Sequence, residues 1–400
     1  MFSAATCGGT RPEREVGPTY TDSVSGPLTG LKILELAGIG ASPYACMLLA
    51  DLGADVLRLE RGNPDAEAAT TWDVLNRSRP SVALDLKSVA GRDLVLELCE
   101  QADVLIEGFR PGVTERLGLG PDDAWRHNRR LVYGRMTGYG QVGPLSQRAG
   151  HDINYVAISG ALWPVGRAGE RPVPALNLIG DFGGGALFLV FGVLAAVFAA
   201  QRSGEGQVVD ASMVDGSASM MALTHAFMNA GYWCEERGVN ILDTGAHFYE
   251  VYETKDARFV AVGAIEPRFY DELLRGLGLK GDDLPAQMDR TQWPAMKERF
   301  GALFRSKSRD EWTEIFSDGD ACVTPVLSPS EAARHPYNTA RGVFTSEGAT
   351  QPTPAPRFSK TPASVRAPPR TPGSGTREGL LRWGVSEERC ATLRDAGAFG

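Results

Sequence analysis

Residues 31–61 read LKILELAGIGASPYACMLLADLGADVLRLER, and this stretch decides the fold class. It opens with a short apolar run (31–37), passes through a glycine-containing turn into a helical segment (42–53), and ends with a second apolar run (55–61). A strand, a helix and a strand in this order form a βαβ unit, in which a helix joins two parallel strands. The stretch therefore predicts a parallel sheet.

The same alternation continues to about residue 140. The segments that carry it are SVALDL, GRDLVLELCEQA, DVLIEGF and RLVYGRMTGYG. A parallel sheet with helices on both faces is the Rossmann-like arrangement. We therefore predict an α/β protein with a Rossmann-like large domain.

The second half of the chain has a different pattern. Residues 246–265 (AHFYEVYETKDARFVAVGAI) alternate as in a β-hairpin, with Lys255 and Asp256 at its turn. Two helical segments follow, and the pattern indicates a second, smaller lobe. Residues 351–375 are rich in Pro, Ser and Thr, so we expect them to run extended over a surface before a last helix.

Composition limits the classes of function. With 43% hydrophobic and 22% charged residues, the 400-residue chain is typical of globular proteins and long enough for two domains. The formal net charge of -8 disfavours a nucleic-acid partner, because phosphate neutralisation needs an excess of Lys and Arg on one face. The six cysteines are widely spaced, and residues 1–27 lack the apolar run of a signal peptide. These features predict free thiols, no metal site and a cytoplasmic protein.

An uncharged stretch raises the question of a membrane. Residues 183–200 (GGGALFLVFGVLAAVFAA) reach the lower length limit of a membrane span. The glycine-rich start and Asp181 just before it favour a buried helix of a large α/β core instead. We therefore predict no membrane span.

The turn after the first strand partly matches a dinucleotide-binding fingerprint. Gly38 and Gly40 occupy the first two glycine positions, and Glu60 lies where an acid would bind a ribose hydroxyl. Pro43 occupies the third glycine position, so a turn that leads into a helix, with Pro43 in its first turn, is the better interpretation.

Basic residues lie at or just beyond several predicted strand ends. They are Arg58, Arg61, Arg77, Arg79, Lys87, Arg110 and Arg116. Ligands of open parallel sheets bind beyond the carboxyl ends of the strands, where such a cluster can hold a nucleotide-like anion. For any single arginine, a solvated surface charge remains the alternative.

Two segments carry candidate acid–base groups. AGHDINYVAISGAL (149–162) places His151 beside Asp152, a partner that can tune its basicity. NLIGDFGGG (177–185) places Asp181 at or near a helix N-cap, where free backbone N–H groups can stabilise an oxyanion. A buried histidine satisfied by carbonyls, and an aspartate that only caps a helix, are the structural alternatives. Together the groups suggest proton transfer on an anionic acyl carrier, with two bases facing one carbon.

Six segments resemble those of the family III CoA-transferase superfamily, also called the CaiB/BaiF group, and in particular its racemase branch. They are GIGASPYACMLLADLGADVLRLER, EGFRPGVTERLGLGP, AGHDINYVAISGAL, LNLIGDFGGGALFLVFGVLAA, GQVVDASMVDGSA and VAVGAIEPRFY. The resemblance covers the chain from about Leu31 to its end.

The resemblance implies an interlocked homodimer in which a large and a small domain meet across the active site. The chain would leave the large domain, build the small one and return, so the large domain would be discontinuous. The four predicted parts are an N-terminal arm (1–27), a large Rossmann-like CoA-binding domain (28–225), a small α+β domain (226–330) and a return segment that completes the large domain (331–400).

The resemblance also implies roles for single residues. His151 and Asp181 match the two catalytic bases of the racemases, and Asp152 matches the acidic neighbour of that histidine. Glu266 matches a glutamate that reaches the same site across the dimer interface.

Three arginines are predicted to bind CoA. Arg110 and Arg116 match arginines of the CoA-binding region of the family, and Arg58 comes from the basic series described above. CoA would be part of the substrate, so no separate cofactor is expected.

The implied activity is a racemase or epimerase that inverts the α-carbon of 2-methylacyl-CoA thioesters by two-base 1,1-proton transfer through an enolate. The sister enzymes transfer CoA between carboxylic acids and use the matching aspartate as a nucleophile, so Asp181 fits both activities. His151 favours racemisation, because the sister enzymes lack that histidine. A non-catalytic acyl-CoA-binding protein is the third alternative; it predicts a lost base, and both bases are present. Trp163 and Pro164 follow the catalytic segment and could reshape the acyl pocket, so the acyl group is not predicted.

Overall fold

Six parallel strands form the sheet that positions the site. The computed structural model describes residues 26–62, 73–280, 283–345 and 350–399, so the predicted N-terminal arm lies almost entirely outside the described residues. The strands of this sheet are β1 (Lys32–Leu36), β2 (Asp55–Glu60), β3 (Ser81–Ala83), β4 (Val104–Glu107), β5 (Val132–Thr137) and β6 (Val208–Ser212). The later strands, which belong to other sheets, are β7 (Tyr249–Glu253), β8 (Phe259–Gly263), β9 (Val323–Pro325), β10 (Phe344–Thr345) and β11 (Gln351–Pro352).

Helices connect most of these strands. They are α1 (Ala41–Asp51), α2 (Val89–Cys99), α3 (Val113–Arg116), α4 (Pro121–His127), α5 (Asp152–Ile158), α6 (Phe188–Ser203), α7 (Met213–Met220), α8 (Ala222–Asn229), α9 (Pro267–Gly276), α10 (Trp293–Phe304), α11 (Arg309–Ile315), α12 (Pro329–Ala332), α13 (Pro336–Arg341), α14 (Thr376–Arg382) and α15 (Glu387–Asp395). A 3₁₀ turn (Val74–Asn76) precedes β3, and a π-type helix (Leu178–Leu187) runs directly into α6. We call this last element the Asp181 helix.

The strand order defines where a ligand can bind. The order is β3-β2-β1-β4-β5-β6, and every neighbouring pair is parallel. The winding reverses between β1 and β4, so a crevice opens beyond the carboxyl ends of these two strands. Open α/β sheets bind their ligands at such a switch point. The predicted parallel α/β sheet is confirmed.

Apolar side chains alternate between the two faces of the sheet, as the pleat of a strand requires. On β1, Ile33 packs in one core with Leu49 of α1 and Val193 of α6. The next residue, Leu34, packs in the opposite core, together with Leu98 of α2. Both faces are therefore covered.

The last helices pack on the first sheet. Leu380 of α14, Trp383 and Leu393 of α15 belong to the same core as Leu34 and Leu57. Trp383 and Leu380 are fully buried. The final segment of the described chain, together with α2 and α4, thus covers one face of the sheet built by residues 32–212. The domain bounds given above stay a prediction.

A second, antiparallel sheet follows in the order β7-β8-β9. The predicted hairpin over 246–265 is confirmed, because β7 and β8 pair from Tyr249 with Gly263 to Glu253 with Phe259. Helices α9, α10 and α11 cover this sheet, with Phe300 and Trp312 buried in its core.

Helix α6 differs from the expectation of a buried helix. Leu178–Ser203 is apolar and long enough to cross a membrane by length and composition alone. Its Leu189 and Val193 pack in the core beside the sheet, while Phe191 is 73% and Phe198 is 61% exposed. A helix that lies on one face of a sheet buries only one stripe. The opposite stripe is an apolar surface of this chain.

Candidate active site

Asp181 lies beside the switch point of the sheet. It is in the first turn of the Asp181 helix, whose N-cap is Asn177. A Cβ added to Gly40, in the turn after β1, would lie 3.1 Å from Oδ2 of Asp181. Gly40 also has a positive φ of 68°, which favours glycine. The carboxylate therefore faces the loop that follows β1.

Burial, a hydrogen bond and two neighbouring charges act on the pKa of Asp181. Burial raises the pKa above its ordinary value, and the negative charge of Asp152 raises it further. Nδ2 of Asn177 donates to Oδ2 of Asp181 at 3.1 Å and lowers the pKa, as does the positive charge of protonated His151. The net effect is a raised pKa, so Asp181 is a stronger base than an exposed aspartate.

His151 occupies the N-cap position of α5. Its backbone N–H donates to Oδ1 of Asn154 at 3.0 Å, which fixes the start of the helix. The side chain is exposed. Because its charge acts on the pKa of Asp181, the two side chains lie within electrostatic range of each other. The structure therefore brings together the two residues that the sequence marks as bases.

Asp152 joins the segment that contains His151 to the backbone of Asp181. Its side chain is buried, and its Oδ1 accepts a hydrogen bond from the Asp181 N–H at 2.7 Å. The described hydrogen bonds do not join Asp152 to the His151 ring, and its role in tuning the basicity of that ring stays a prediction. The same contact occupies the Asp181 N–H. This N–H therefore cannot bind an oxyanion, contrary to the prediction. The first N–H groups of α1 are better placed, since Gly40 at its N-cap offers them no side-chain acceptor.

The loop after β4 carries the two predicted CoA-binding arginines. Arg110 precedes α3 and Arg116 is its last residue, and both are exposed. Burial raises the pKa of Tyr155 to about 12, while the charge of Asp181 raises it and that of Arg110 lowers it. Tyr155 thus lies within electrostatic range of both. Arg110 is therefore at the same edge of the sheet as the candidate bases.

Arg58 is placed differently from the expectation. It is buried on β2 and pairs in register with Glu35 of β1. Its Nη1 donates to Oε1 of Glu35 at 2.6 Å, and its Nε lies 3.4 Å from Glu60. Arg79 shares Glu35 at 2.6 Å. These carboxylates neutralise the buried guanidinium groups, so Arg58 stabilises the sheet and is not included in the CoA site proposed below.

The sequence matches the family described as CoA-transferase family III over residues 28–377. The chain belongs to the CoA-transferase family III. It is 46% identical over 370 residues to α-methylacyl-CoA racemase of Mus musculus, a match that covers 92% of this chain and 96% of that protein. The α-methylacyl-CoA racemase of Homo sapiens is 45% identical over 372 residues, with the same two coverages.

A solved structure supports the same assignment of the fold. A CaiB/BaiF family protein from Brucella suis aligns with a TM-score of 0.78 and 23% sequence identity, and the match covers 90% of this chain and all of that one. The α/β fold of this CoA-transferase family III member is thus shared with a CaiB/BaiF structure.

Glu266 lies apart from the other site residues of this family member. It is the N-cap residue of α9 and is exposed. In the described part of the chain, no hydrogen bond or ion pair joins it to His151, Asp152 or Asp181. Its role stays a prediction that depends on a second subunit.

Asn177 is a site residue that the sequence analysis did not single out. It contacts Asp181 four positions later, and an asparagine at a helix start was the only available signal. Among the described residues, no group of three or more His, Cys, Asp or Glu side chains is arranged to hold a metal ion. The arrangement offers one imidazole and one carboxylate beside a crevice, with exposed arginines at its edge.

Proposed function

We propose that the protein is a racemase or epimerase that inverts the α-carbon of 2-methylacyl-CoA thioesters. The observation that carries the proposal is the hydrogen bond from the Asp181 N–H to Oδ1 of Asp152, which joins the segment that contains His151 to the segment that contains Asp181. The identity of 46% to a protein named α-methylacyl-CoA racemase supports the substrate class.

The two side chains suit proton transfer in both directions. The α-proton of a thioester is weakly acidic, so a base must remove it while the charge on the enolate oxygen is stabilised. In one direction neutral His151 removes the proton from one face and protonated Asp181 returns a proton to the other. In the reverse direction the ionised Asp181 is the base. The raised pKa of Asp181 brings it closer to the working pH in both roles.

The surroundings supply binding and charge stabilisation. The start of α1, beside Asp181, offers backbone N–H groups to the enolate oxygen. Arg110 and Arg116 are exposed at the same edge and would bind phosphate groups of CoA. CoA is then part of the substrate, and the reaction needs no further organic group.

A CoA-transferase that uses Asp181 as nucleophile is the second candidate. The family contains such enzymes by name, and the Asp181 carboxylate is only partly buried, so a thioester could reach it. This reaction needs an acceptor acid, whereas racemisation does not.

The experiment uses that difference. One epimer of a 2-methylacyl-CoA is incubated with the protein in deuterated buffer without an acceptor acid, and the α-proton is followed by NMR. We expect exchange together with appearance of the other epimer. His151→Ala and Asp181→Ala should each abolish epimerisation and leave CoA-ester binding nearly intact, while His127→Ala, at an exposed histidine, should behave as wild type. No exchange, followed by CoA transfer once an acceptor acid is added, would replace racemisation by the second candidate.

We also propose that the protein is a homodimer. The exposed stripe of α6, with Phe191 and Phe198, is an apolar surface of a kind that subunit contacts usually cover. Glu266 would then reach the site from the second subunit. Sedimentation analysis should give a dimer, and Phe191→Asp should weaken it; a monomer at micromolar concentration would contradict the proposal.

A further inference from the structure

Arg135 lies at the centre of a group of polar side chains that the proposed reaction does not use. It is on β5 and pairs in register with Glu107, the last residue of β4. Its Nε lies 3.5 Å from Oε1 of Glu107, and its Nη1 donates to Oε1 of Gln141 at 2.8 Å. Its Nη2 donates to the carboxylate of Glu115. We call Arg135, Glu107, Glu115 and Gln141 the Arg135 cluster.

The members of the Arg135 cluster come from the sheet, from α3 and from the loop after β5. Glu115 is on α3, just after the segment that carries Arg110. Gln141 follows β5, near the start of the loop 138–151 that leads to His151. A guanidinium presents its donors in a fixed planar fork, so one arginine can fix several acceptors relative to each other. Arg135 therefore joins α3, just after the loop at Arg110, to the loop 138–151 and to β5.

Two further hydrogen bonds also hold the loop after β4 in place. Oε2 of Glu107 accepts from the Phe109 N–H at 2.6 Å, which fixes the first turn of the loop after β4. Nε2 of Gln147, in the loop 138–151, donates to the Pro111 carbonyl at 3.1 Å. The segment around Arg110 is thus held from both sides.

We propose that Arg135 is a positioning residue that sets the distance between the anion-binding loop at Arg110 and the loop that ends at His151. The inference rests on the proposed function, since it takes Arg110 as a CoA contact and His151 as a base. Arg135 itself is buried, and its charge is used by Glu107 and Glu115, so it does not bind the ligand directly. Without it both loops would still form, but the loop at Arg110 would no longer be held in place relative to the loop at His151, so the acyl-CoA ester would bind more weakly.

The substitution Arg135→Lys tests the proposal, because lysine keeps the charge and loses the planar fork. We expect the KM for the acyl-CoA ester to rise about tenfold, which corresponds to about 1.4 kcal/mol. The kcat should change by less than about threefold. Glu115→Gln removes one partner with little change of shape and should raise KM in the same direction. A residue needed only for folding would instead lower the melting temperature and the amount of active enzyme, with KM unchanged.

A matched control is Arg126→Lys, the same substitution in an exposed ion pair with Asp123 on α4. Its KM and kcat should equal those of wild type. If Arg135→Lys also had the wild-type KM while wild type epimerised normally, the inference would be overturned and the proposed function would stand. If wild type neither epimerised the ester nor bound free CoA in a calorimetric titration, the proposed function itself would be contradicted, and the inference about Arg135 would fall with it.

Glu107 gives the proposal a second readout. Burial raises the pKa of its carboxyl group to about 7, and the Phe109 N–H and Arg135 oppose this. The charged or titratable groups that face it are Arg135 and Tyr133 from β5, Glu115 from α3 and Asp210 from β6. Ionised Glu107 attracts Arg135 and the Phe109 N–H more strongly. The KM of wild type should therefore fall as the pH rises through about 7, and this component should be lost in Glu107→Gln. An identical pH dependence of KM in that variant would contradict the coupling.

Discussion

Removal of the Asp152 carboxylate should misplace Asp181 without removing either base. Asp152 is 7% exposed, and its Oδ1 accepts the Asp181 N–H at 2.7 Å. In Asp152→Ala this N–H loses its partner in a half-buried position, which costs about 1–3 kcal/mol. If the whole loss appears in the transition state, kcat falls about 5- to 150-fold.

Asp152→Asn separates the hydrogen bond from the charge. Asparagine keeps an oxygen acceptor but loses the charge assistance, about 1 kcal/mol, so kcat should fall only about fivefold. The negative charge of Asp152 raises the pKa of Asp181. Its loss should lower that pKa and move the acid limb of the pH–kcat profile to lower pH, in the direction of reaction in which Asp181 is the base.

The assay is epimerisation followed by NMR from pH 4.5 to 9, with both epimers as starting material. Asp93→Ala, at an exposed aspartate of α2, is the control and should keep the wild-type profile. Wild-type kcat in Asp152→Ala, or an unmoved acid limb in Asp152→Asn, would refute the positioning role.

Three further predictions concern packing and charge. Burial lowers the pKa of His247 to about 4, because the folded protein favours the neutral imidazole. The stability that depends on this neutral form is complete above pH 6.5 and is lost as the pH falls through 4. Relative to His247→Phe, wild type should lose about 2 kcal/mol of unfolding free energy between pH 7.5 and 5, measured in urea. Gly40→Ala should lower kcat, because the added Cβ would lie 3.1 Å from Oδ2 of Asp181. Gly30→Ala is the control: its φ of 92° also strains an alanine, but no atom lies within 4 Å of the added Cβ, so backbone strain should be its only effect. Equal kcat values in the two variants would contradict this prediction. Glu35→Gln leaves the buried guanidinium groups of Arg58 and Arg79 without their shared carboxylate. It should lower the unfolding free energy by about 3–5 kcal/mol in the same urea assay. A loss of less than about 1 kcal/mol would contradict this prediction.

The local sequence contained enough to predict the sheet and to mark its candidate bases. The run 31–61 predicts β1, α1 and β2 because periodicity and turn residues are local properties. Asp181 and His151 were visible as polar residues at helix starts. Their proximity was not, because residues 30 positions apart come close only after both helices pack.

Arg58 shows where local reasoning fails. In the strand DVLRLE a single arginine looks like an exposed position, and only the pairing of β1 with β2 places Glu35 opposite it. The Arg135 cluster is similar, since its members come from β4, β5, α3 and a loop. The exposed stripe of α6 could not be read either, because a uniformly apolar helix gives no sign of which side faces the sheet.

The packing of α14 and α15 on the first sheet has a consequence for biosynthesis. The face that contains Leu34 and Leu57 is complete only when Leu380, Trp383 and Leu393 are in place. A ribosome delivers the chain from its N-terminus, so this face is packed only by earlier elements such as α2 and α4 while more than 160 further residues are added after β6. The nascent protein thus exposes part of this core until residues 380–393 have been added, and this exposed surface can bind chaperones.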